Sequence, residues 1–344
     1  MSQTVSQTTG GSGVSGGASA QPYNSQFAKP ADSDRPLIWV NGQLVPKSQA
    51  MVSVYDHGLL YGDGVFEGIR VYNGKIFKSA QHMDRLYHCA EKIFLDIPIS
   101  KEEMVAIQRQ CIEANGITDG YIRLVVSRGE GTLGLNPYLC PTPGIVCIAD
   151  TIALFAPEMY EKGMRVVLAE RPKTPIACLD PRVKSLNYLN NILAKCEAIH
   201  LGRAMGIEKP EDQLLEVIML NTEGKVAEGS GDNIFFIKDG KLVTPPSDAG
   251  ILEGITRRFV MDTLCPDCGV EVEERYFTID ELHDADEAFL TGSAAEMIAV
   301  REILTHEGGK HTGTHRISDG QGPITAKLRA RFREIVTSDH VPED

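Results

Sequence analysis

Lys184 stands in the run Pro181-Arg-Val-Lys-Ser-Leu-Asn-Tyr-Leu-Asn-Asn191, and Glu228 stands further along among the small residues of Val226-Ala-Glu-Gly-Ser-Gly231. An amine that is held in place and can shed its proton joins an aldehyde as a Schiff base. The atoms of such an aldehyde need partners of their own, and a lone carboxylate among small residues can be one. Together the two residues point to an enzyme that works through a lysine-bound aldehyde. A helix beginning at Lys184 would put Tyr188 on the same face, at i+4, within reach of whatever the amine holds. Gly229 and Gly231 let backbone approach a flat ring closely. Farther on, Gly254-Ile255-Thr256 at the expected start of a helix offers N–H groups and a hydroxyl to a phosphate, and Ser293 after Gly292 offers a second such turn. Taken singly, each has a plainer reading, because Lys, Glu and Arg are by type surface residues. Only their combination argues for chemistry.

Such residues need rigid elements beneath them, and the chain supplies two α/β units. In the first, strands are expected at Leu37–Val40 and Val45–Val54 around the Asn41-Gly42 turn, and at Phe66–Tyr72 and Lys75–Phe77 around Asn73-Gly74. Helical spacing follows at Ser79–Phe94, with Met83, Leu86, Ala90 and Ile93 on one side, and a second helix is expected at Lys101–Ala114. Strands Tyr121–Ser127 and Gly144–Ala149 close this unit, which spans 36–150. A linker at 151–160 leads into a larger unit, 161–337, and a short tail at 338–344 ends the chain. The larger unit should hold strands at Met164–Leu168, Glu216–Leu220, Asn233–Ile237, Lys241–Val243, Gly269–Tyr276 and Glu287–Leu290. Its helices should run over Lys184–Leu201, Gly254–Leu264 and Ile324–Val336. Residues 1–35, rich in Gly, Ser, Gln and Thr, cannot repay the entropy of folding and should form a disordered tail. They carry neither a basic nor an apolar signal region.

Composition narrows the function classes. A net charge of −13 over 344 residues opposes broad nucleic-acid or anionic-membrane binding. No apolar run approaches the roughly 20 residues of a membrane helix. Eight dispersed cysteines favour a reducing cytoplasm. Cys265-Pro-Asp-Cys268 has redox or metal spacing without a second half-site, so it reads as structural, the other reading being a redox-sensing protein on the same scaffold. The nine histidines offer no metal spacing with a matching carboxylate, and no GxGxxG follows a strand, so neither a metal nor a dinucleotide is expected. His57 reads as a turn residue, and Arg257 and Arg258 as surface charges.

From about Pro36 to Val336 the chain resembles a branched-chain amino acid aminotransferase of the pyridoxal-phosphate fold-type IV group. The resemblance is carried by Tyr61-Gly-Asp-Gly-Val-Phe-Glu-Gly-Ile-Arg70, His82-Met-Asp-Arg-Leu86, Gly120-Tyr-Ile-Arg123 and the Lys184 and Glu228 runs. Gly254-Ile-Thr256 and Thr291-Gly-Ser-Ala-Ala-Glu296 complete it, in the family's order. It implies an α/β (α+β) fold, with a smaller N-terminal domain and a larger C-terminal domain built on a β-barrel-like sheet. By the same resemblance Lys184 is the catalytic residue that carries pyridoxal 5'-phosphate, Tyr188 donates to the phenolic oxygen of the ring, and Glu228 pairs with its nitrogen. Arg85, Ile255, Thr256 and Ser293 hold the phosphate. Tyr61, Phe66 and Tyr121 line the side-chain pocket, Arg123 binds the distal carboxylate of glutamate, and the Ser293-Ala294-Ala295 turn meets the α-carboxylate. The implied reaction moves the amino group of L-leucine, L-isoleucine or L-valine to 2-oxoglutarate. Small molecules are the partners, and a homodimer or higher homo-oligomer is expected, with the Gly131–Leu135 loop reaching the neighbouring pocket. D-amino acid transaminases, aminodeoxychorismate lyases and R-selective amine transaminases share the lysine and glutamate, and the Tyr121-x-Arg123 pair sets this chain apart from them.

Overall fold

The computed structural model describes residues 35–344. The expected tail at 1–35 thus lies, Arg35 excepted, outside the described residues. The first sheet has the order β2-β1-β6-β5-β3-β4, from β1 (Leu37–Val40), β2 (Gln43–Pro46), β3 (Gly64–Tyr72), β4 (Lys75–Ile76), β5 (Gly120–Ser127) and β6 (Gly144–Asp150). Between β2 and β3 lies a short helix α1 (His57–Tyr61); between β4 and β5 lie α2 (Ser79–Lys92) and α3 (Lys101–Asn115). α3 opens on a capping box of Ser100 and Glu103 and closes at Gly116 in the left-handed region, φ 63°, so both ends are satisfied locally. Strand alternation divides β3 and β5 into two faces. Val65, Ile69 and Val71 with Ile122, Leu124 and Val126 pack under α2 and α3. Phe66, Gly68 and Arg70, aligned with Val125, Arg123 and Tyr121, turn the other way.

The second sheet has nine strands. Its path is β12-β11-β10-β13-β14-β7-β8-β9, with β15 paired to β14. The strands are β7 (Met164–Leu168), β8 (Val217–Leu220), β9 (Val226–Glu228), β10 (Asn233–Lys238), β11 (Lys241–Thr244), β12 (Val272–Glu274), β13 (Glu287–Gly292), β14 (Glu296–Glu307) and β15 (Lys310–Arg316). β9, at one end of the path, packs back against β10, so the sheet curls into a half-barrel. Around it lie α4 (Pro157–Lys162), α5 (Leu189–Ala204), α6 (Ile255–Phe259), α7 (Cys265–Cys268), α8 (Ile279–His283) and α9 (Pro323–Val336). One face buries Val166, Ile234, Phe236 and Ile298; the other packs Phe235, Phe289 and Met297 against α6, α7 and α9.

Several expectations change. β2 stops at Pro46, where Gln49 N–H donates back to the Pro46 carbonyl and turns the chain, so Val45–Val54 is not one strand. α5 begins at Leu189 rather than Lys184. Backbone groups of the lysine segment are taken by the edge of β3: Phe66 N–H donates to Lys184 O (3.1 Å) and Leu186 N–H to Gly64 O (2.9 Å). The strand expected over Gly269–Tyr276 shortens to β12, and the helix expected to end at Leu264 runs on through a π-turn (Val260–Leu264) into α7. Within the expected linker, Phe155 and Met159 are buried in the second core. The expected tail at 338–344 lies along the start of α2: Lys78 N–H donates to Pro342 O, Ala80 N–H to Glu343 O, and Val341 is buried. Arg257 is no surface charge. It is buried, donating to Glu274 and to the Pro245 carbonyl, whereas Arg258 is exposed as expected. The two thiols of the CxxC sit in the core beside Leu264, and burial pushes Cys265 up to about 12, far from thiolate chemistry.

Phe289 is fully buried and stacked on Phe235 with ring centres 5.0 Å apart. Phe289→Ala should lower the unfolding free energy by about 3–5 kcal/mol, read as an earlier denaturant midpoint with an unchanged slope.

Candidate active site

Because Lys184 and Leu186 are bonded to the β3 edge, the lysine side chain enters the space between the two sheets beside Phe66. Its amine lies 4.5 Å from the Phe66 ring centre and 3.2 Å from the Tyr188 hydroxyl. Tyr188 sits just before α5 and meets Phe66 edge-on at 5.0 Å. The i+4 relation thus holds in space without a helix to produce it. Burial first, and the Arg85 charge second, lower the Lys184 amine to about 8, with Glu67 acting the other way. Tyr188, buried and near Glu228, is pushed up to about 12 and stays a hydrogen-bond donor at neutral pH.

The amine opens on a cavity of about 240 Å³ lined by Phe66, Arg85, Tyr121, Arg123, Lys184, Tyr188, Ile255, Thr256, Ser293 and Ala294. Ten residues singled out in the sequence therefore meet at one cavity, from both sheets. Three do not line it. Glu228 is buried next to the lining residues Leu252 and Asn233: Lys173 Nζ (2.7 Å), Leu252 N–H (2.9 Å) and Asn233 Nδ2 (3.1 Å) donate to it. A carboxylate has about four acceptor positions, so one remains for another donor. Ala295 is buried beneath its turn. Tyr61 points away: its hydroxyl donates to the Leu133 carbonyl (2.5 Å) and its ring is part of the exposed surface.

Arg85 comes from α2 and is oriented by Glu67 of β3, which accepts from Arg85 Nε and Nη2, both at 2.7 Å, and from His82 Nδ1 at 2.7 Å. Burial would raise Glu67, but Arg85 and His82 outweigh it and hold the carboxyl well below the usual range. Arg85 Nη1 donates to the Glu253 carbonyl, leaving two of its five N–H donors for an anion. Across the cavity Arg123 lies over the Phe66 ring at 4.7 Å and over Tyr121 at 5.6 Å, an aromatic wall with a cation on it. Gly68 makes that wall possible, since a Cβ there would meet the Tyr121 hydroxyl oxygen at 1.7 Å.

Sequence reasoning missed Lys173, Glu67, His82 and Asp232. Lys173 and Glu67 are buried charges whose surroundings no periodicity displays. Asp232 lines the cavity beside Gly292, where burial and then the neighbouring Glu216 carboxylate raise it to about 7, with Lys195 opposing. Gly231-Asp232-Asn233 next to the Glu228 run was the signal available for it.

The donor set suits a phosphorylated pyridine aldehyde. It comprises an amine of lowered pKa beside a phenol, a buried carboxylate with an acceptor position left, and two guanidinium N–H groups. The Thr256 hydroxyl lies at the same cavity, as does the Thr291 hydroxyl, a buried group without a hydrogen-bond partner.

The chain matches the family described as amino-transferase class IV over residues 64–303. A Methanocaldococcus jannaschii protein, provisionally named a branched-chain-amino-acid aminotransferase, is 44% identical over 300 residues, covering 87% of this chain and 96% of its own. A D-alanine aminotransferase of Listeria monocytogenes is 36% identical over 302 residues, covering 87% and 96%. Among solved structures, a T.th. branched-chain amino acid aminotransferase with pyridoxamine 5'-phosphate superposes with a TM-score of 0.77 at 34% identity, covering 89% of this chain and 95% of that one.

A folded-state pKa of about 8 against an ordinary 10.5 makes the neutral amine available near neutral pH. It costs stability below about pH 8, a cost relieved as pH rises from 8 to 10.5. Labelling of Lys184 by an amine-directed reagent in ligand-free protein should titrate with a midpoint near pH 8. Arg85→Met should move that midpoint upward, because it removes a repelling charge and frees Glu67 to attract the protonated amine. An unmoved midpoint would exclude the Arg85 contribution.

Proposed function

Since the chain belongs to the class IV aminotransferase family, we propose that it transfers the amino group of L-leucine, L-isoleucine or L-valine to 2-oxoglutarate, reversibly, with pyridoxal 5'-phosphate bound at the Lys184 cavity. The observation that carries this reading is the Lys184 amine, lowered to about 8, facing Tyr188 in a cavity shared with Arg85, Thr256, Ser293 and Arg123. When bound, the cofactor supplies an electron-poor ring that spreads negative charge from the substrate Cα.

The residues of this chain then divide the work. Lys184 would hold the cofactor, and its amine, in the neutral form, would move the proton at the substrate Cα. Tyr188 would donate to the ring's phenolic oxygen. Glu228, braced by Lys173 and Asn233, would accept from the ring nitrogen. Arg85, with Ile255, Thr256 and Ser293, would hold the phosphate. The backbone amides of the Ser293-Ala294-Ala295 turn take the α-carboxylate, helped by Tyr121. Phe66 and Tyr121 accept a branched apolar side chain, and Arg123, lying over both rings, takes the distal carboxylate when glutamate occupies the same space. One wall thereby serves two side chains of opposite polarity.

A second reading, transamination of D-amino acids, is favoured by the likeness to the Listeria monocytogenes enzyme. The aromatic wall with Arg123 supports the L-branched-chain reading over it.

The working unit in this reading is a homodimer or a larger homo-oligomer in the cytoplasm. Met51, Val54, Leu59, Leu133, Leu135 and Tyr138 are large apolar residues left exposed on two segments that touch through Tyr55–Gly131, His57–Thr132 and Tyr61–Leu133. A dimer covering them would bring Tyr61 and the Gly131–Leu135 loop to the neighbouring cavity, which gives Tyr61 the substrate role that it does not have within one chain.

Borohydride treatment of the enzyme with its cofactor should fix a pyridoxyl group on Lys184, found by peptide mapping. Lys184→Ala should lower turnover by at least about 10²–10⁴-fold. With 2-oxoglutarate, L-leucine should outrun D-alanine; the reverse order would overturn the substrate and leave the cofactor assignment standing. Leu59→Glu together with Leu135→Glu should give a smaller species by light scattering, with most activity lost. An active monomer would remove the oligomeric part of the proposal.

A further inference from the structure

Glu296 follows the turn that the proposed reaction uses for carboxylates, yet that reaction gives it no task. β13 and β14 pair Gly292 with Glu296 and Thr291 with Met297, so Ser293, Ala294 and Ala295 form a three-residue hairpin loop. Glu296 has φ 58°, a conformation disfavoured for every side chain but glycine. Glycine would be the easy residue here, and a buried carboxylate is a costly one unless its partners hold it.

The partners are three side chains from two elements. Tyr72 OH donates to Glu296 Oε1 at 2.8 Å, Arg333 Nη1 to Oε1 and Oε2 at 3.0 and 3.1 Å, and Arg70 Nη2 to Oε1 at 3.3 Å. Arg70 and Tyr72 lie on β3, on the face that also carries Phe66 and Gly68, and Arg333 lies on α9. Burial first and the Glu296 charge second raise the Tyr72 hydroxyl well above its ordinary range, so it remains a donor. Arg70 also stacks over the Tyr72 ring at 5.0 Å. The turn is thereby tied to the first sheet and to the C-terminal helix through one charge, by bonds of the charge-assisted kind.

We infer that Glu296 is a positioning residue. Its carboxylate, gripped by Arg70, Tyr72 and Arg333, holds the Ser293–Ala295 loop with its amides toward the cavity, against the preference of its own backbone. This rests on the aminotransferase reading. Amino acid and 2-oxo acid present the same α-carboxylate to the same amides, so disturbance of the loop weakens both substrates alike and leaves the proton transfers at Lys184 in place.

The test is steady-state kinetics with L-leucine and 2-oxoglutarate on the holoenzyme and on Glu296→Gln, Glu296→Gly and Arg333→Met. Arg333 is half exposed, so its variant keeps the fold while removing two of the four bonds. Glu296→Gln should raise KM for both substrates by a common factor of about ten with kcat within about twofold, and Arg333→Met should do the same to a lesser degree. Glu296→Gly, which frees the backbone but removes the grip, should behave like Glu296→Gln. An unchanged KM in Glu296→Gly, or a KM change confined to one substrate, would overturn the inference and leave Glu296 a folding residue. An unmodified enzyme that transaminates no L-amino acid would instead bring down the aminotransferase reading itself.

Discussion

The site depends on a short backbone pairing. Lys184 and Leu186 lie along the free edge of β3, exchanging hydrogen bonds with Phe66 and Gly64. Without these bonds the lysine segment would belong to the second unit alone, its amine facing no aromatic wall. With them a residue of one unit becomes an edge residue of the other sheet, and the cavity exists only because the two are joined. Backbone bonds fix that junction whatever the side chains are, and the side chains supply what enters it.

Buried charges do the finer work, and they do it in groups. Glu67 orients Arg85 and His82, Glu228 is braced by Lys173 and Asn233, and Glu296 gathers Arg70, Arg333 and Tyr72. A carboxylate alone in these places would take up a proton; with cations or amides around it, it becomes a fixed point to which arginines and turns are tied. The same logic lowers the amine of Lys184, where Arg85 adds to the effect of burial while Glu67 limits it.

Much of this was legible in the sequence. The strand runs of β3 and β5 and the helical spacing of α2 pointed to the first unit's elements, since each buries one face and exposes another. The run around Lys184 gave the lysine and Tyr188, with the wrong reason for their proximity: Ser185 to Asn187 carry no signal that distinguishes a helix start from a segment drawn out along a strand edge. Arg257 looked like its neighbour Arg258, because only the fold reveals that one faces Glu274 and the Pro245 carbonyl and the other faces water. Lys173 was invisible for a related reason. A charged residue in an irregular segment announces its environment only when the distant chain that covers it is in place.

The close approach at Gly68 carries a consequence for diversity. Because the phenol of Tyr121 occupies the volume where a methyl group on residue 68 would lie, neither position can drift by itself: a bulkier residue at 68 evicts the ring, and a smaller residue at 121 leaves a hole that the bare backbone cannot fill. The breadth of the pocket is therefore a property of two neighbouring strands acting as a single hereditary unit, and remodelling it for larger guests means rewriting both letters at once.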